Sequence, residues 1–200
     1  MNKKNISVLG GGSWGTVLAY LASLNGNYVS LWMRDKELVE TINQSRVNQR
    51  YLPSLDLSSK IKATSDMQDI ESSDTVIFCV PSDAFREVSE LASSYIQESS
   101  YLITATKGVE KDGFSLMSQI LEEHYPANSI GVISGPNLAE EIAEGQLSGT
   151  VIASQDATLR DSVIKDLSND FFKVYENNDP YGCRDGRSLK EHLCNCLRDS

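Results

Sequence analysis

The sequence predicts an α/β fold built on a doubly wound, mostly parallel sheet. Short runs rich in β-branched residues alternate with longer helical stretches along most of the 200 residues. A glycine-rich turn joins the first such run to the first helical stretch, and further glycine and serine motifs follow later runs. Strands that are separated by crossover helices pair in parallel, so this alternation predicts that sheet.

The first half of the chain predicts four strands and three helices. The strands are the apolar, β-branched runs at 6–9, 28–32, 61–64 and 75–80. The helices are the stretches at 13–24, 36–44 and about 83–95. The first helix is expected to end near an Asn-Gly pair, because both residues tolerate the backbone conformation that terminates a helix.

The second half continues the same alternation. Strands are predicted at 101–105, 130–133, 150–153 and 171–175. Helices are predicted at 115–124, 137–144 and 158–168. After residue 177 the chain turns polar and rich in cysteine, and it loses the apolar periodicity of the preceding part.

The composition limits the classes of function. Hydrophobic residues make up 40% of the chain and charged residues 23%, which indicates an ordinary globular domain. The formal net charge of -10 argues against non-specific binding to nucleic acid or anionic lipid. No apolar run approaches the roughly 20 residues that span a bilayer, and the N-terminal residues are not expected to form a signal peptide. We therefore expect a cytoplasmic protein. The net charge does not exclude a local basic pocket for a phosphorylated small molecule.

The cysteines predict neither a metal site nor a disulfide framework. Cys79 lies in an apolar run, where a small buried hydrophobic residue is expected. Cys183, Cys194 and Cys196 fall near the C-terminus together with His192. Their spacing is a poor match to a zinc site, which favours paired cysteines and a fourth ligand.

The glycine-rich turn fits the pattern GxGxxG with Gly10, Gly12 and Gly15. It follows the first strand and opens the first helix, which is the setting of a dinucleotide-binding turn. Gly10 would permit the tight turn, Gly12 would let a pyrophosphate approach the backbone, and Gly15 would let helix and strand pack closely. The free N–H groups at the helix start favour an anion. The sequence therefore predicts a Rossmann-type dinucleotide site.

The end of the second predicted strand bears on the choice of cofactor. NAD-specific folds usually place an acid there for the ribose 2′-hydroxyl, whereas this chain has Arg34 followed by Asp35. An arginine can pair with a 2′-phosphate, which favours or permits NADP. A solvated surface arginine explains Arg34 equally well, and Asp35 keeps NAD open.

Three further motifs follow predicted strands at the edge where doubly wound sheets bind ligands. They are Val-Pro-Ser at 80–82, Thr-Lys-Gly at 106–108 and Ser-Gly-Pro-Asn at 134–137. The second motif brings Lys107 to the mouth of the predicted crevice. A lysine in that position is a candidate functional residue.

With these motifs the chain resembles the N-terminal domain of bacterial NAD(P)-dependent sn-glycerol-3-phosphate dehydrogenases. The resemblance covers residues 5 to about 182 in order and spacing. Its motifs are VLGGGSWGT at 8–16, NQRYLP at 48–53, VPS at 80–82, TKG at 106–108, ISGPNLA at 133–139 and FKVYENND at 172–179.

The resemblance implies which residues contact the cofactor, NADP or NAD. Ser13 and Trp14 would contact the dinucleotide from the glycine loop. Arg34 would lie at the adenosine ribose, and Tyr51 would lie near the cofactor. Ala139 would lie on the nicotinamide side.

The resemblance also implies the substrate site. Lys107 would contact both cofactor and substrate, and Gly135 and Asn137 would line the glycerol phosphate site. The family more often has Ser or Thr where Asn137 stands, a mild departure because the asparagine amide also carries a donor and an acceptor.

The largest departure from the family lies at the end of the chain. The family continues Gly-Val-Glu-x-x-Gly-(Ala/Ser)-Leu-Lys-Asn, and its lysine transfers the proton. Lys190 stands at the matching offset from Gly182, whereas the flanking residues differ. We therefore expect a Rossmann domain over 1–182 and an aberrant, poorly ordered remnant of the family's helical C-terminal domain over 183–200.

The function implied by the resemblance is hydride transfer between NAD(P)H and dihydroxyacetone phosphate, giving sn-glycerol 3-phosphate for phospholipid synthesis. Lys107 and Lys190 are the candidate catalytic residues, and the fragment is expected to bind cofactor with impaired turnover. The alternative is a free-standing NAD(P)-binding module without turnover. Homodimerisation of full-length members is a further expectation, whereas nucleic acid, a membrane span and a metal are not expected.

Overall fold

The computed structural model describes residues 3–111 and 113–180. Among these residues eight strands form one sheet, and two short strands, β3 (Val47–Asn48) and β4 (Leu52–Asp56), form a separate hairpin. The sheet strands are β1 (Asn5–Leu9), β2 (Tyr28–Trp32), β5 (Ile61–Thr64), β6 (Thr75–Phe78), β7 (Tyr101–Thr104), β8 (Ile130–Ser134), β9 (Ser148–Ala153) and β10 (Phe172–Asn177). The helices are α1 (Ser13–Leu24), α2 (Lys36–Ser45), α3 (Phe85–Ala92), α4 (Met117–His124), α5 (Ala139–Ala143) and α6 (Ala157–Leu167).

The order of the strands confirms the doubly wound, mostly parallel sheet. It runs β10-β9-β8-β7-β6-β1-β2-β5, and β1 pairs in parallel with both β2 and β6. The chain therefore builds outward from β1 to β5 on one side and then returns to β6 on the other. The carboxyl ends of β1 and β6 flank the point where the direction of winding changes, which is where such sheets form a crevice.

Both faces of the sheet are buried, which explains why its strands are continuous apolar runs. Successive residues of β6 alternate between the two faces, as expected of a strand. Ile77 joins the cluster that contains α1 and α6, whereas Val76 and Phe78 join the cluster that contains α3 and α4. These two cores hold the ends of the central strands in fixed positions around the crevice.

The predicted elements hold best for the first units, and the structure differs from the prediction in three features. Helix α1 and strands β2 and β5 have the predicted bounds. Parallel pairing is wrong for β8 and β9, which are antiparallel with Ile133 opposite Ile152. Helix α5 is shorter than predicted and packs against α1 and β4, so that β9 begins at the edge where β8 ends and runs back. The β3–β4 hairpin was not predicted.

The described part of the chain contains no helix long and apolar enough to cross a membrane. The segment over 183–200, including Lys190, lies outside the described residues, as does the end of the predicted domain at 181–182.

Candidate functional site

A cleft of about 720 Å³ lies at the carboxyl ends of the central strands. It opens where the winding changes direction between β1 and β6, the expected position for a ligand in this fold. Both tryptophans of the chain, Trp14 and Trp32, contribute to its walls. Nine of the predicted site residues line it: Gly10, Gly12, Ser13, Trp14, Gly15, Arg34, Tyr51, Lys107 and Asn137.

The glycine loop is held by close contacts between backbone atoms. Gly10 has a φ of +127°, and a Cβ there would lie 2.4 Å from the carbonyl oxygen of Cys79. A Cβ on Gly15 would lie 1.9 Å from the carbonyl oxygen of Gly10. Neither position has space for a side chain, so these two glycines let the loop, helix α1 and strand β6 come together.

Gly12 differs from its neighbours, because a Cβ there would meet no heavy atom within 4 Å. Gly12 precedes helix α1 with an extended backbone, φ -73°, that any residue can adopt. No side chain caps the helix start, and no acidic residue lies in its first turn. The first N–H groups of α1 and the positive end of its dipole therefore face the cleft beside Gly12 and suit an anion.

The β3–β4 hairpin packs onto the glycine loop. The buried Asn48 side chain donates to the carbonyl oxygen of Gly11 at 3.0 Å and to Oγ1 of Thr16 at 2.8 Å. Ser13 Oγ donates to the carbonyl oxygen of Tyr51 at 3.3 Å. These bonds bring the half-exposed Tyr51 ring to the wall of the cleft.

Two arginine–carboxylate pairs lie at the end of the cleft next to β2. Arg34 Nη2 lies 2.9 Å from Oε2 of Glu87, and Arg50 Nη1 donates to Oδ2 of Asp35 at 2.7 Å. Asp35 also caps α2, since its Oδ1 accepts from the backbone N–H of Leu38 at 3.0 Å. The Leu38 N–H and the Arg50 guanidinium hold the pKa of Asp35 below its ordinary value. One oxygen of Asp35 accepts from the Leu38 N–H and the other from Arg50. Asp35 therefore differs from the acidic residue of an NAD-specific site, whose carboxylate is available to the ribose hydroxyl.

Lys107 lies at the edge of the cleft that follows β7. Oγ1 of Thr106 donates to the carbonyl oxygen of Val80 at 2.7 Å, which ties the ends of β6 and β7 together. Gly108 has a φ of +108° and lies against the side chain of Ser82. The exposed Lys107 is therefore held between two fixed points of the backbone, as its place after a central strand predicts.

An ion-pair network braces the segment after Lys107. Arg86 on α3 donates to both carboxylate oxygens of Glu110, at 2.6 and 3.0 Å, and to Glu123 on α4 at 2.9 Å. The hydrogen bonds from Arg86 hold the pKa of Glu110 below its ordinary value. This network keeps the Lys107 segment against α3 and α4.

The structure only partly brings together the residues predicted for the substrate, Gly135 and Asn137, and for the nicotinamide side, Ala139. Asn137 lines the cleft, and its side chain donates to the carbonyl oxygen of Gly149 at 2.8 Å. Gly135 and Ala139 lie on either side of it along the chain but are not among the residues that line the cleft. A Cβ on Gly135 would lie 2.7 Å from Oδ1 of Asn137, so this glycine leaves space for the amide.

Cys79 packs against the apolar core as the sequence predicts, but its side chain is only partly buried and also lines the cleft. Burial raises the pKa of its thiol to about 12, and the side chain packs against the main hydrophobic cluster. The thiol is therefore protonated at neutral pH. In the parts of the chain that the structure describes, no group of three or more His, Cys, Asp and Glu residues could hold a metal ion. Outside those parts lie Cys183, His192, Cys194 and Cys196.

Sequence reasoning missed three residues of this site. Arg50 and Asn48 belong to the NQRYLP motif, but only Tyr51 was given a role there. The adjacency of a cation to Tyr51 was the available signal for Arg50. Glu87 carried no signal, because only the fold brings the first turn of α3 within reach of Arg34.

Comparison with known proteins identifies the family. The model for the N-terminus of NAD-dependent glycerol-3-phosphate dehydrogenase matches residues 5–160. Glycerol-3-phosphate dehydrogenase (NAD(P)+) of Alcanivorax borkumensis is 45% identical over 189 residues, which are 94% of this chain and 55% of the relative. The enzyme of Saccharophagus degradans is 42% identical over 190 residues, covering 94% of this chain and 53% of its own. The chain thus spans about half the length of the curated relatives it matches.

Solved structures agree with this relationship. Glycerol-3-phosphate dehydrogenase from Coxiella burnetii superposes with a TM-score of 0.85 at 32% identity, covering 88% of this chain and 55% of that chain. UDP-D-ManNAc dehydrogenase from Pyrococcus horikoshii, at 14% identity and a TM-score of 0.75, shares the fold alone; 93% of this chain and 49% of that chain are covered. The family model, the relatives and the cleft lead to one conclusion: the chain belongs to the NAD-dependent glycerol-3-phosphate dehydrogenase family and carries its N-terminal part.

Proposed function

We propose that this chain binds NADP or NAD in the cleft and serves hydride transfer between NAD(P)H and dihydroxyacetone phosphate, giving sn-glycerol 3-phosphate for phospholipid synthesis. The observation that carries the proposal is the contrast among the loop glycines. Gly10 and Gly15 have no space for a side chain, whereas a Cβ on Gly12 would meet nothing within 4 Å. Packing within the protein does not explain a glycine at position 12, but the close approach of a pyrophosphate does.

The residues of the cleft fit a dinucleotide along its length. The uncapped start of α1 would hold the pyrophosphate, with Ser13 and Trp14 beside it. Arg34 would hold the adenosine end, and Tyr51 would cover the cofactor from the β3–β4 hairpin. The nicotinamide supplies or accepts the hydride when the cofactor is bound.

The edge around Lys107 is the proposed substrate end. Reduction of a ketone delivers a hydride to carbon and a proton to oxygen, and the substrate phosphate needs cations. Lys107 would contact both cofactor and substrate, Gly135 and Asn137 would line the phosphate site, and Ala139 would flank the nicotinamide. Lys190, which lies outside the described residues, is the proposed proton donor.

Fluorescence titration tests cofactor binding directly, because both tryptophans line the cleft. We expect NADPH and NADH to quench the tryptophan emission in a saturable way. Energy transfer from the tryptophans should also excite the emission of the reduced nicotinamide. A chain that gives neither signal, and no heat of binding by calorimetry, would contradict the proposal.

Oxidation of NADPH or NADH by dihydroxyacetone phosphate tests turnover. Conversion at an ordinary enzymatic rate would show that these residues suffice for the reaction, contrary to our expectation of impaired turnover. Binding without conversion would instead support a cofactor-binding module. The proposal also includes a cytoplasmic location and homodimerisation of the full-length protein.

Replacement of single lysines tests the substrate end. Lys107→Ala should lower cofactor affinity by about 1 kcal/mol, the usual range for one hydrogen bond. Lys111→Ala is the matched control, because Lys111 is an exposed lysine that does not line the cleft. Lys190→Ala is expected to leave cofactor affinity unchanged in this chain. Equal losses for Lys107→Ala and Lys111→Ala would indicate a general charge effect.

A further inference from the structure

The Arg34–Glu87 ion pair joins the two sides of the cleft at the end next to β2. This end, where the proposed function places the adenosine ribose, is called the ribose end below. Arg34 follows β2, whereas Glu87 lies in the first turn of α3, which follows β6. Their Nη2 and Oε2 atoms are 2.9 Å apart. Ala84 and Val88, on either side of Glu87 along the chain, line the same cleft. The Glu87 carboxylate thus already pairs with Arg34, the cation that the proposed function assigns to cofactor binding.

The pair is exposed to solvent and is therefore easily displaced. The Arg34 side chain is 54% exposed and that of Glu87 is 69% exposed, and exposed ion pairs contribute little. A 2′-phosphate is a stronger, bidentate partner for a guanidinium than a ribose hydroxyl is. NADPH therefore has to displace Glu87 from Arg34 before its 2′-phosphate can pair with the guanidinium, whereas NADH does not.

The neighbouring Arg50–Asp35 pair differs in one respect. Asp35 also caps α2 through the N–H of Leu38, so its carboxylate is tied to the start of a helix. Glu87 has Arg34 as its one ion-pair partner within the described residues. A change at Glu87 therefore alters the charge at the ribose end without removing a helix cap.

We propose that Glu87 is a specificity-determining residue, which lowers the preference for NADPH over NADH by holding Arg34. The proposal rests on the function proposed above, since it requires that a dinucleotide binds with its ribose at Arg34. On this proposal, the exposed Glu87 carboxylate adjusts the ratio of the affinities for NADPH and NADH.

The test compares the affinities of NADPH and NADH for the wild-type chain and for Glu87→Gln. We expect the glutamine variant to bind NADPH about two- to fivefold more tightly and to bind NADH unchanged. The gain should shrink as salt is raised, because the contact is exposed. Glu90→Gln is the matched control: it removes the same charge from the same helix, but Glu90 lies 4.0 Å from His124 instead of near Arg34.

Repeating the substitution in an Arg34→Ala background tests the route of the effect. If Glu87 acts by holding Arg34, Glu87→Gln should give no gain in NADPH affinity there. A gain that persists without Arg34, an equal gain for both cofactors, or the same gain in Glu90→Gln would overturn the proposal. A wild-type chain that binds neither cofactor would instead refute the proposed function, so the two failures are distinguishable.

Discussion

The two ends of the cleft are held by different forces. At the glycine loop, backbone lies against backbone, and a Cβ on Gly15 would come within 1.9 Å of the Gly10 carbonyl oxygen. At the ribose end, exposed side chains meet in ion pairs of 2.7 and 2.9 Å. Close-packed backbone cannot accept added atoms, whereas exposed ion pairs exchange partners at low cost. If a dinucleotide binds as proposed, we expect the loop end to determine whether it fits and the ribose end to determine which dinucleotide is preferred.

Gly15→Ala should produce the largest effect, on the fold itself. Alanine is favoured over glycine in a helix by about 1 kcal/mol, but a clash with a backbone carbonyl exceeds that gain. We expect the free energy of unfolding to fall by about 3 kcal/mol, measured by urea denaturation. Gly12→Ala is the control, because no heavy atom lies within 4 Å of its added Cβ, and it should change stability by less than about 0.5 kcal/mol. Equal stabilities would show that the loop relaxes freely.

Gly12→Val should abolish cofactor binding and leave the fold in place. The extended backbone at Gly12 accepts a β-branched residue, and the added atoms would occupy the approach of the pyrophosphate. We expect a loss of affinity of at least about a hundredfold for both NADPH and NADH by calorimetry, with an unfolding curve like that of the wild type. Retained affinity would mean that Gly12 is only part of a turn.

The glycine loop was predictable from the sequence because its constraints are local. Glycine is required at a fixed spacing for the tight turn, for the close packing of the helix on the strand and for the open approach to the backbone. Helix α1 begins and ends as predicted. The antiparallel pairing of β8 and β9 was not predictable, since the path of the chain around α5 sets it. Glu87 was not predictable for a similar reason, because only the fold brings it near its partner Arg34.

Arg34→Ala should separate the two cofactors. If Arg34 pairs with the 2′-phosphate, its loss should weaken NADPH binding by about 1.5–3 kcal/mol, the range for a hydrogen bond to a charged group. NADH binding should change much less, since the ribose hydroxyl offers Arg34 no charge. Calorimetric titration of both cofactors checks this, and equal losses would mean that Arg34 does not recognise the phosphate.

Asp35→Asn should give the smallest effect, because it alters one partly exposed carboxylate that caps α2 and pairs with Arg50. The Leu38 N–H and Arg50 lower the pKa of Asp35 below its ordinary value, so its charged form stabilises the folded chain. A lowered pKa gives a contribution that is fully present above about pH 4 and is lost as the pH falls through the folded value. Asparagine also caps helices well, so only the charge-dependent part is removed. We therefore expect the free energy of unfolding near neutral pH to be slightly higher for the wild type than for Asp35→Asn. This difference should vanish as the pH is lowered. Asp56→Asn is the control, because it makes an equal change of charge at the end of β4. A difference between Asp35→Asn and wild type that persists at low pH would show that the cap depends on shape and not on charge.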